Sequence, residues 1–368
     1  MLPGEMALQR RIFNKLLGAS LATLAVPMII RPALAADPLK VGFIYVGAVA
    51  DVGWTHQHDL ARKALEADLG SAIKTTYVER VNEDLESEPI ISELARSGHD
   101  LIYTTSFGYM NPTLKVAKRF PKVKFEHATG YKRAENVATY NIRFYEGRYI
   151  QGVIAGKMSR SGIVGYIGSM PIPEVIMGMN AFILGMRTIN PAAKARAVFI
   201  DSWYDPGKEA DTAKALIDQG ADMMAQHTAS TAPLQIAEQH GIKGFGQATD
   251  MIKAAPNAQL TSSINNWEPY YLTRTKAVID GTWKSRNTWG GLSTGMLKMA
   301  AYTNMPGDVA SLARQTEAAI SGGKLVIFKG PIKDQSGAVK VPDGTALDDG
   351  AIAAMNWLAE GIEGLLPK

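Results

Sequence analysis

Gly162-Ile-Val-Gly-Tyr-Ile-Gly168-Ser-Met-Pro-Ile-Pro-Glu174, running on to Gly185-Met-Arg-Thr-Ile-Asn-Pro191, decides the fold. The apolar run Ile163 to Ile167 has strand character, and Gly168 frees the turn that follows. Pro173 suits the first turn of a helix. Val175, Met179, Phe182 and Met186 then recur at three- and four-residue spacing, which predicts one buried helix face that Asn190-Pro191 stops. Strand, glycine turn and long helix make one α/β unit.

The same order extends in both directions. Leu39 to Tyr45 is β-rich and precedes helical spacing over Asp59 to Leu69. Ile73 to Val81 leads to a helix at Asp84 to Arg96, Asp100 to Thr105 leads to one at Pro112 to Arg119, and Val123 to His127 closes the series. A second series takes Gly162 to Ile167, Ala197 to Ile200, Asp222 to Gln226 and Ile242 to Gly246, with helices between. Strands alternating with helices at this spacing argue for parallel sheets covered on both faces. The fold class is therefore α/β with two lobes, each a parallel sheet flanked by helices, and with the cleft between them as the place for a ligand. Crossings between the lobes are expected at Asn141 to Glu146, Thr261 to Asn266 and Gly290 to Thr294, which together make a hinge. Residues 37–143 plus about 265–289 are read as the first lobe and 144–264 plus about 290–330 as the second. The tail 331–368, with a last helix at Asp348 to Leu366, is assigned to neither.

Residues 1–35 read as a signal peptide. Arg10, Arg11 and Lys15 precede the apolar run Leu16 to Ile30, and Ala33-Leu34-Ala35 fits small-residue cleavage. Gln9 to Lys15 is similar to a twin-arginine signal. The expected location of the mature chain is the periplasm. Arg10, Arg11, Lys15 and Arg31 against Glu5 place most of the formal charge of +4 in this leader, so nothing electrostatic points to nucleic acid. The chain has no cysteine, which removes disulfides, thiolate metal sites and a lipid anchor on cysteine. A monomer without cofactor or metal is expected.

In parallel sheets ligands bind beyond the carboxyl ends of the strands. Gly47-Ala-Val-Ala-Asp51-Val-Gly53-Trp54-Thr55-His56-Gln57 follows the first strand, and Asp201-Ser-Trp203-Tyr204-Asp205-Pro-Gly-Lys208 follows the second lobe's second strand. Two indoles, one per lobe, suit a sandwich around a flat ring. Together with the strand at Gly162, these segments closely resemble the basic membrane protein (BMP) family of ABC-transporter substrate-binding proteins, which includes the purine nucleoside receptors. The two loops look like the family's Asp-x-Ser-Phe-Asn and Ser-Phe-x-Asp segments, whose aromatics stack on a purine, and Trp54 and Trp203 stand at the two phenylalanines.

The resemblance implies a ligand set. Thr55 stands where the family usually has asparagine, with Asn111 as a second polar group and Tyr109 and Met170 as wall residues. Asp250, in Gly244-Phe-Gly-Gln-Ala-Thr-Asp250, matches the segment whose aspartate meets ribose in the nucleoside receptors. Where the family often has a Ser-x-x-Lys-like element, this chain reads Thr261-Ser-Ser-Ile-Asn265, so an amide replaces the cation that helps hold the sugar. That change and the larger indoles favour a free nucleobase such as adenine, delivered to an inner-membrane ABC permease. A nucleoside receptor, a sugar-binding protein with tryptophan platforms and a periplasmic ligand sensor are the alternatives. Enzyme signatures are missing. There is no Gly-x-Ser-x-Gly elbow or P-loop, the His56 and His58 side chains turn to different helix faces, and Glu146 and Glu174 read as hinge or cap residues. Asp51 with Asp250 is the one acidic pair to test for hydrolysis.

Overall fold

The structure, a computed structural model, describes residues 37–83 and 85–367. The signal-peptide reading lies outside the described residues. The first α/β series is β1 (Leu39–Ile44), α1 (Trp54–Leu69), β2 (Ile73–Val78), α2 (Ser87–Arg96), β3 (Leu101–Thr104), α3 (Met110–Arg119), β4 (Lys124–Ala128) and β5 (Val137–Ile142). The second is α4 (Phe144–Met158), β6 (Ile163–Gly168), α5 (Pro173–Arg187), β7 (Lys194–Phe199), α6 (Pro206–Asp218), β8 (Met223–His227), α7 (Ala232–Gln239), β9 (Lys243–Gly246) and β10 (Gln259–Asn265). The remainder is α8 (Glu268–Ile279), β11 (Asn287–Gly290), β12 (Leu297–Met299), α9 (Gly307–Ser321), β13 (Ile332–Lys333), β14 (Val339–Val341), α10 (Asp349–Ala353) and β15 (Ile362–Glu363).

One sheet has the order β11-β5-β4-β3-β1-β2 and the other β12-β10-β9-β8-β6-β7-β15. Every pairing within them is parallel except that of β12 with β10. Parallel strands are covered on both faces, and Val41, Phe43, Leu101 and Tyr103 are accordingly buried without exposure. The chain passes between the sheets after β5, returns after β10 with α8 against α1, and leaves again between β11 and β12.

Two elements differ from the periodicity. The spacing in α5 predicts a single buried face, whereas twelve residues from Glu174 to Met186 are buried, around most of the helix. The cause is close approach of α4. A side chain at Gly152 would strike the carbonyl of Phe182, and one at Gly185 would strike that of Tyr149, so glycine on each helix lets the backbones touch. The predicted helix Asp348 to Leu366 is also shorter, stopping at Ala353. Asn180 accepts from the Ala359 N–H at 2.8 Å and donates to the Trp357 carbonyl at 2.8 Å, which holds the chain out of the helix. Gly361 follows with φ 96°, and β15 then adds to β7 in parallel register. Ile332, Val341, Ile352, Leu358 and Ile362 thereby join the core of the second sheet.

Among the described residues no helix is long and apolar enough to cross a membrane.

Candidate functional site

A cavity of about 620 Å³ lies where the carboxyl ends of the strands of both sheets meet. The loop after β1, Arg80 after β2, Ser106 and Phe107 after β3 and Thr129 after β4 line one side. Glu174 at the start of α5, Ser202 to Tyr204 after β7, His227 to Ala229 at the end of β8 and Gln247 and Ala248 after β9 line the other. Val46, Ala48, Ala50, Val52, Ala229 and Ala248 make much of the lining apolar.

The first wall is built on an aromatic stack. Trp54 begins α1, and its indole N–H donates to the Thr105 carbonyl at 2.6 Å. Its ring meets Trp267 edge-on at 5.4 Å and His58 at 4.7 Å, while His58 stacks on Trp267 at 4.6 Å with the planes 8° apart. Burial holds the His58 imidazole well below its usual pKa, so it is neutral in this stack, with Nδ1 2.5 Å from the Tyr271 hydroxyl. Thr55 turns its hydroxyl to the loop and accepts from the Gly47 N–H at 3.3 Å.

The second wall is polar both in its lining and behind it. Glu174 sits in the first turn of α5, whose free N–H groups favour an acidic side chain. The Asn141 amide donates to Glu174 Oε2 at 3.3 Å, and His227 Nε2 is 3.6 Å from Oε1. Burial lowers the pKa of His227, the carboxylate opposing this in part. Gln247 Oε1 accepts from the fully buried Arg148, whose other nitrogen donates to Gln151 at 2.9 Å. The loop at 228–230 hangs on Glu209, also fully buried, which accepts from Thr228 at 2.7 Å and Ser230 at 2.6 Å.

The walls touch. The Gln57 amide donates across the cleft to the Thr249 hydroxyl at 3.0 Å, in a buried contact. Gly53 has φ 94°, and a Cβ there would lie 2.9 Å from the Ala229 carbonyl, so glycine is what lets the first-lobe loop reach the second.

Of the residues that the sequence nominates, Trp54, Thr55 and Trp203 line the cavity. Met170 is half-buried just after β6 and does not line it. Asn265 is fully buried behind Ala248, to whose carbonyl its backbone N–H donates at 2.8 Å. Tyr109 is turned into the core, its hydroxyl donating to the Val81 carbonyl at 2.7 Å. Asn111 is exposed on α3, where it accepts from Lys132 at 3.3 Å. Asp250 is exposed outside the cavity because Gln259, at 2.6 Å, and the Ile252 N–H, at 3.1 Å, hold its carboxylate. Motif position thus selected Asp250 where the lining residues are Gln247 and Ala248. His227 and Gln247 escape the sequence reading because one ends a strand and the other follows one directly, while Glu174, which opens a helix, reads there as a hinge or cap residue. Their signal was position alone, at or within a few residues of a strand's carboxyl end.

Two parallel sheets, three crossings and a cavity between strand ends define a type I periplasmic binding fold. Residues 39–336 match the family of PnrA-like ABC-transporter substrate-binding proteins, and the chain belongs to that family. It is 56% identical to a purine-binding protein of Brucella abortus over 95% of this chain and 99% of that one. A putative ABC-transporter glucose-binding protein of Haloferax volcanii is 31% identical over 90% of this chain and 82% of its own length. In structure the chain resembles an ABC-transporter solute-binding protein of Aeropyrum pernix, with a TM-score of 0.68, 18% identity and coverage of 86% and 95% of the two chains. The protein is a substrate-binding protein of an ABC transporter, a class that takes up a small molecule and works with a membrane permease.

Proposed function

We propose that the protein binds a purine in the periplasm, a free base such as adenine before a nucleoside, and hands it to its permease in the closed form. The observation that carries this is the cavity itself, walled by Trp54 from one lobe and Trp203 from the other. Stacked aromatics desolvate a flat heterocycle and bind it on both faces. The purine-binding relative supports the ligand class. Residues 37–143 with about 265–289, and 144–264 with about 290–330, are the bodies that close, and the Gln57–Thr249 bond and the Gly53–Ala229 approach are contacts of closure. Thr55, whose hydroxyl holds the loop, supports the first wall. Asn265 acts from behind Ala248.

The base is favoured over the nucleoside because Asp250 is held outside the cavity and Ala248 stands at the wall nearby. The glucose-binding relative keeps a sugar as the second reading, with the tryptophans as pyranose platforms. Denaturing the purified protein and identifying the released small molecule by mass spectrometry, then titrating the stripped protein calorimetrically with adenine, adenosine and glucose, tests both. Release and rebinding of a free purine base is expected. Tight binding of glucose alone, or of none of the three, overturns the reading.

A further inference from the structure

The second wall carries a buried cation that the stacking account does not use. Arg148 has no exposure, and among the described residues it forms no ion pair with a carboxylate. Burying a guanidinium without a counter-charge is costly, so its donors must be satisfied by neutral acceptors. Two of its nitrogens donate to the side-chain oxygens of Gln151 and of Gln247, and the Tyr166 hydroxyl lies beside the same guanidinium. A guanidinium only donates, so the chemistry fixes the orientation of the Gln247 amide, with its oxygen to Arg148 and its NH₂ turned the other way. The Ser263 hydroxyl donates to the same oxygen at 3.4 Å. Gln247 is 4% exposed and lines the cavity, and the group its side chain has left to offer is a donor.

Glu174 is the complement on the same wall. It is 7% exposed, and a carboxylate only accepts. Asn141 and His227 flank its two oxygens at 3.3 Å and 3.6 Å. Arg148, Tyr166 and His227 converge over Gly178, where a Cβ would lie 3.5 Å from Arg148 Cγ, 3.6 Å from the Tyr166 hydroxyl and 3.8 Å from His227 Nδ1. Gln247, Arg148, His227 and Glu174 thus form one buried array with a donor at one end and an acceptor at the other.

We infer that Gln247 and Glu174 read the edge of the stacked ring, Gln247 donating to a ring nitrogen and Glu174 accepting from the exocyclic amino N–H beside it, with Arg148 as the positioning residue for Gln247. The inference rests on the purine reading and goes beyond it. It selects heterocycles that present an exocyclic amino group beside a ring nitrogen on one edge, and it disfavours rings of the same shape that lack the amino group, because Glu174 is then left buried and unpaired.

Paired titrations of the stripped full-length mature protein test it, with adenine and with unsubstituted purine, which differ by the amino group alone. The wild-type protein is expected to prefer adenine by about 10- to 100-fold, the effect of one buried polar group left without its partner. In Glu174→Ala the two ligands should bind nearly equally. Gln247→Met should weaken adenine by a similar factor but cause no further loss with the deaza analogue, 1-deazaadenine or 7-deazaadenine, that deletes the nitrogen facing it. Thermal melting of each variant confirms folding, and the Glu174 arm stands without the Gln247 arm. An adenine preference that survives Glu174→Ala, or a wild-type protein indifferent between adenine and purine, overturns the edge reading while leaving a purine receptor. Binding of neither ligand by the wild type overturns the purine reading itself.

Discussion

The two walls of the cavity are made differently, although each follows the ends of parallel strands. The first is built on an aromatic stack, with Trp54 backed by His58, Trp267 and Tyr271. The second presents Trp203 beside Glu174, His227 and Gln247, with Arg148 behind them, and all four of these polar residues are at least nine-tenths buried. An aromatic wall gives contact area and tolerates many rings, whereas a buried polar wall penalises any ring that leaves it unpaired. On this reading the first lobe supplies affinity and the second supplies choice.

The largest expected effect is on the foundation of the first wall. Glu126 in β4 is fully buried and accepts from Arg274 at 2.5 Å, Tyr270 at 2.5 Å and Trp283 at 2.6 Å, which ties α8 and its aromatic residues to the sheet. Glu126→Ala leaves Arg274 buried without its partner and should cost about 3–5 kcal/mol of stability in chemical denaturation. A loss under about 1 kcal/mol would detach the ion pair from the support of that wall.

Next come the tryptophans. Trp54→Ala and Trp203→Ala should each weaken purine binding by about 1–3 kcal/mol in calorimetric titration. Trp54→Ala should also lower the melting temperature more, because it removes a hydrogen bond to Thr105 and opens the stack, while Trp203 only rests on its core. Equal effects on stability would erase the contrast between the walls.

The contacts of closure are smaller. Gly53→Ala puts a side chain at φ 94° and ψ −169°, a region open to glycine alone, and against the Ala229 carbonyl. About 1–3 kcal/mol should appear as lost affinity, with the melting of the ligand-free protein retained. Gln57→Ala removes only the bond to Thr249 and should weaken binding by about 0.5–1.5 kcal/mol. A variant that bound as tightly as the wild type would separate this bond from closure.

Much of the architecture can be read from the chain, because strand, turn and helix leave local patterns. Ile163 to Gly168 and Pro173 lie in the elements that their spacing predicts. What escapes is set by contacts remote in sequence. The burial of α5 on nearly every side depends on Gly152 in another helix, and the extended tail depends on Asn180, well over a hundred residues away. The cavity divides in the same manner. Trp54 and Trp203 stand out in small-residue loops, whereas the orientation of the Gln247 amide is set by Arg148, in a helix of the same lobe. Asp250 shows the converse, a loop carboxylate taken out of reach by Gln259.

A crystal structure of the protein with adenine bound tests the central claim most directly. The account predicts the ring between Trp54 and Trp203, with one edge on Gln247 and Glu174. A base found outside the cavity between the lobes, or in contact with one wall only, would contradict it.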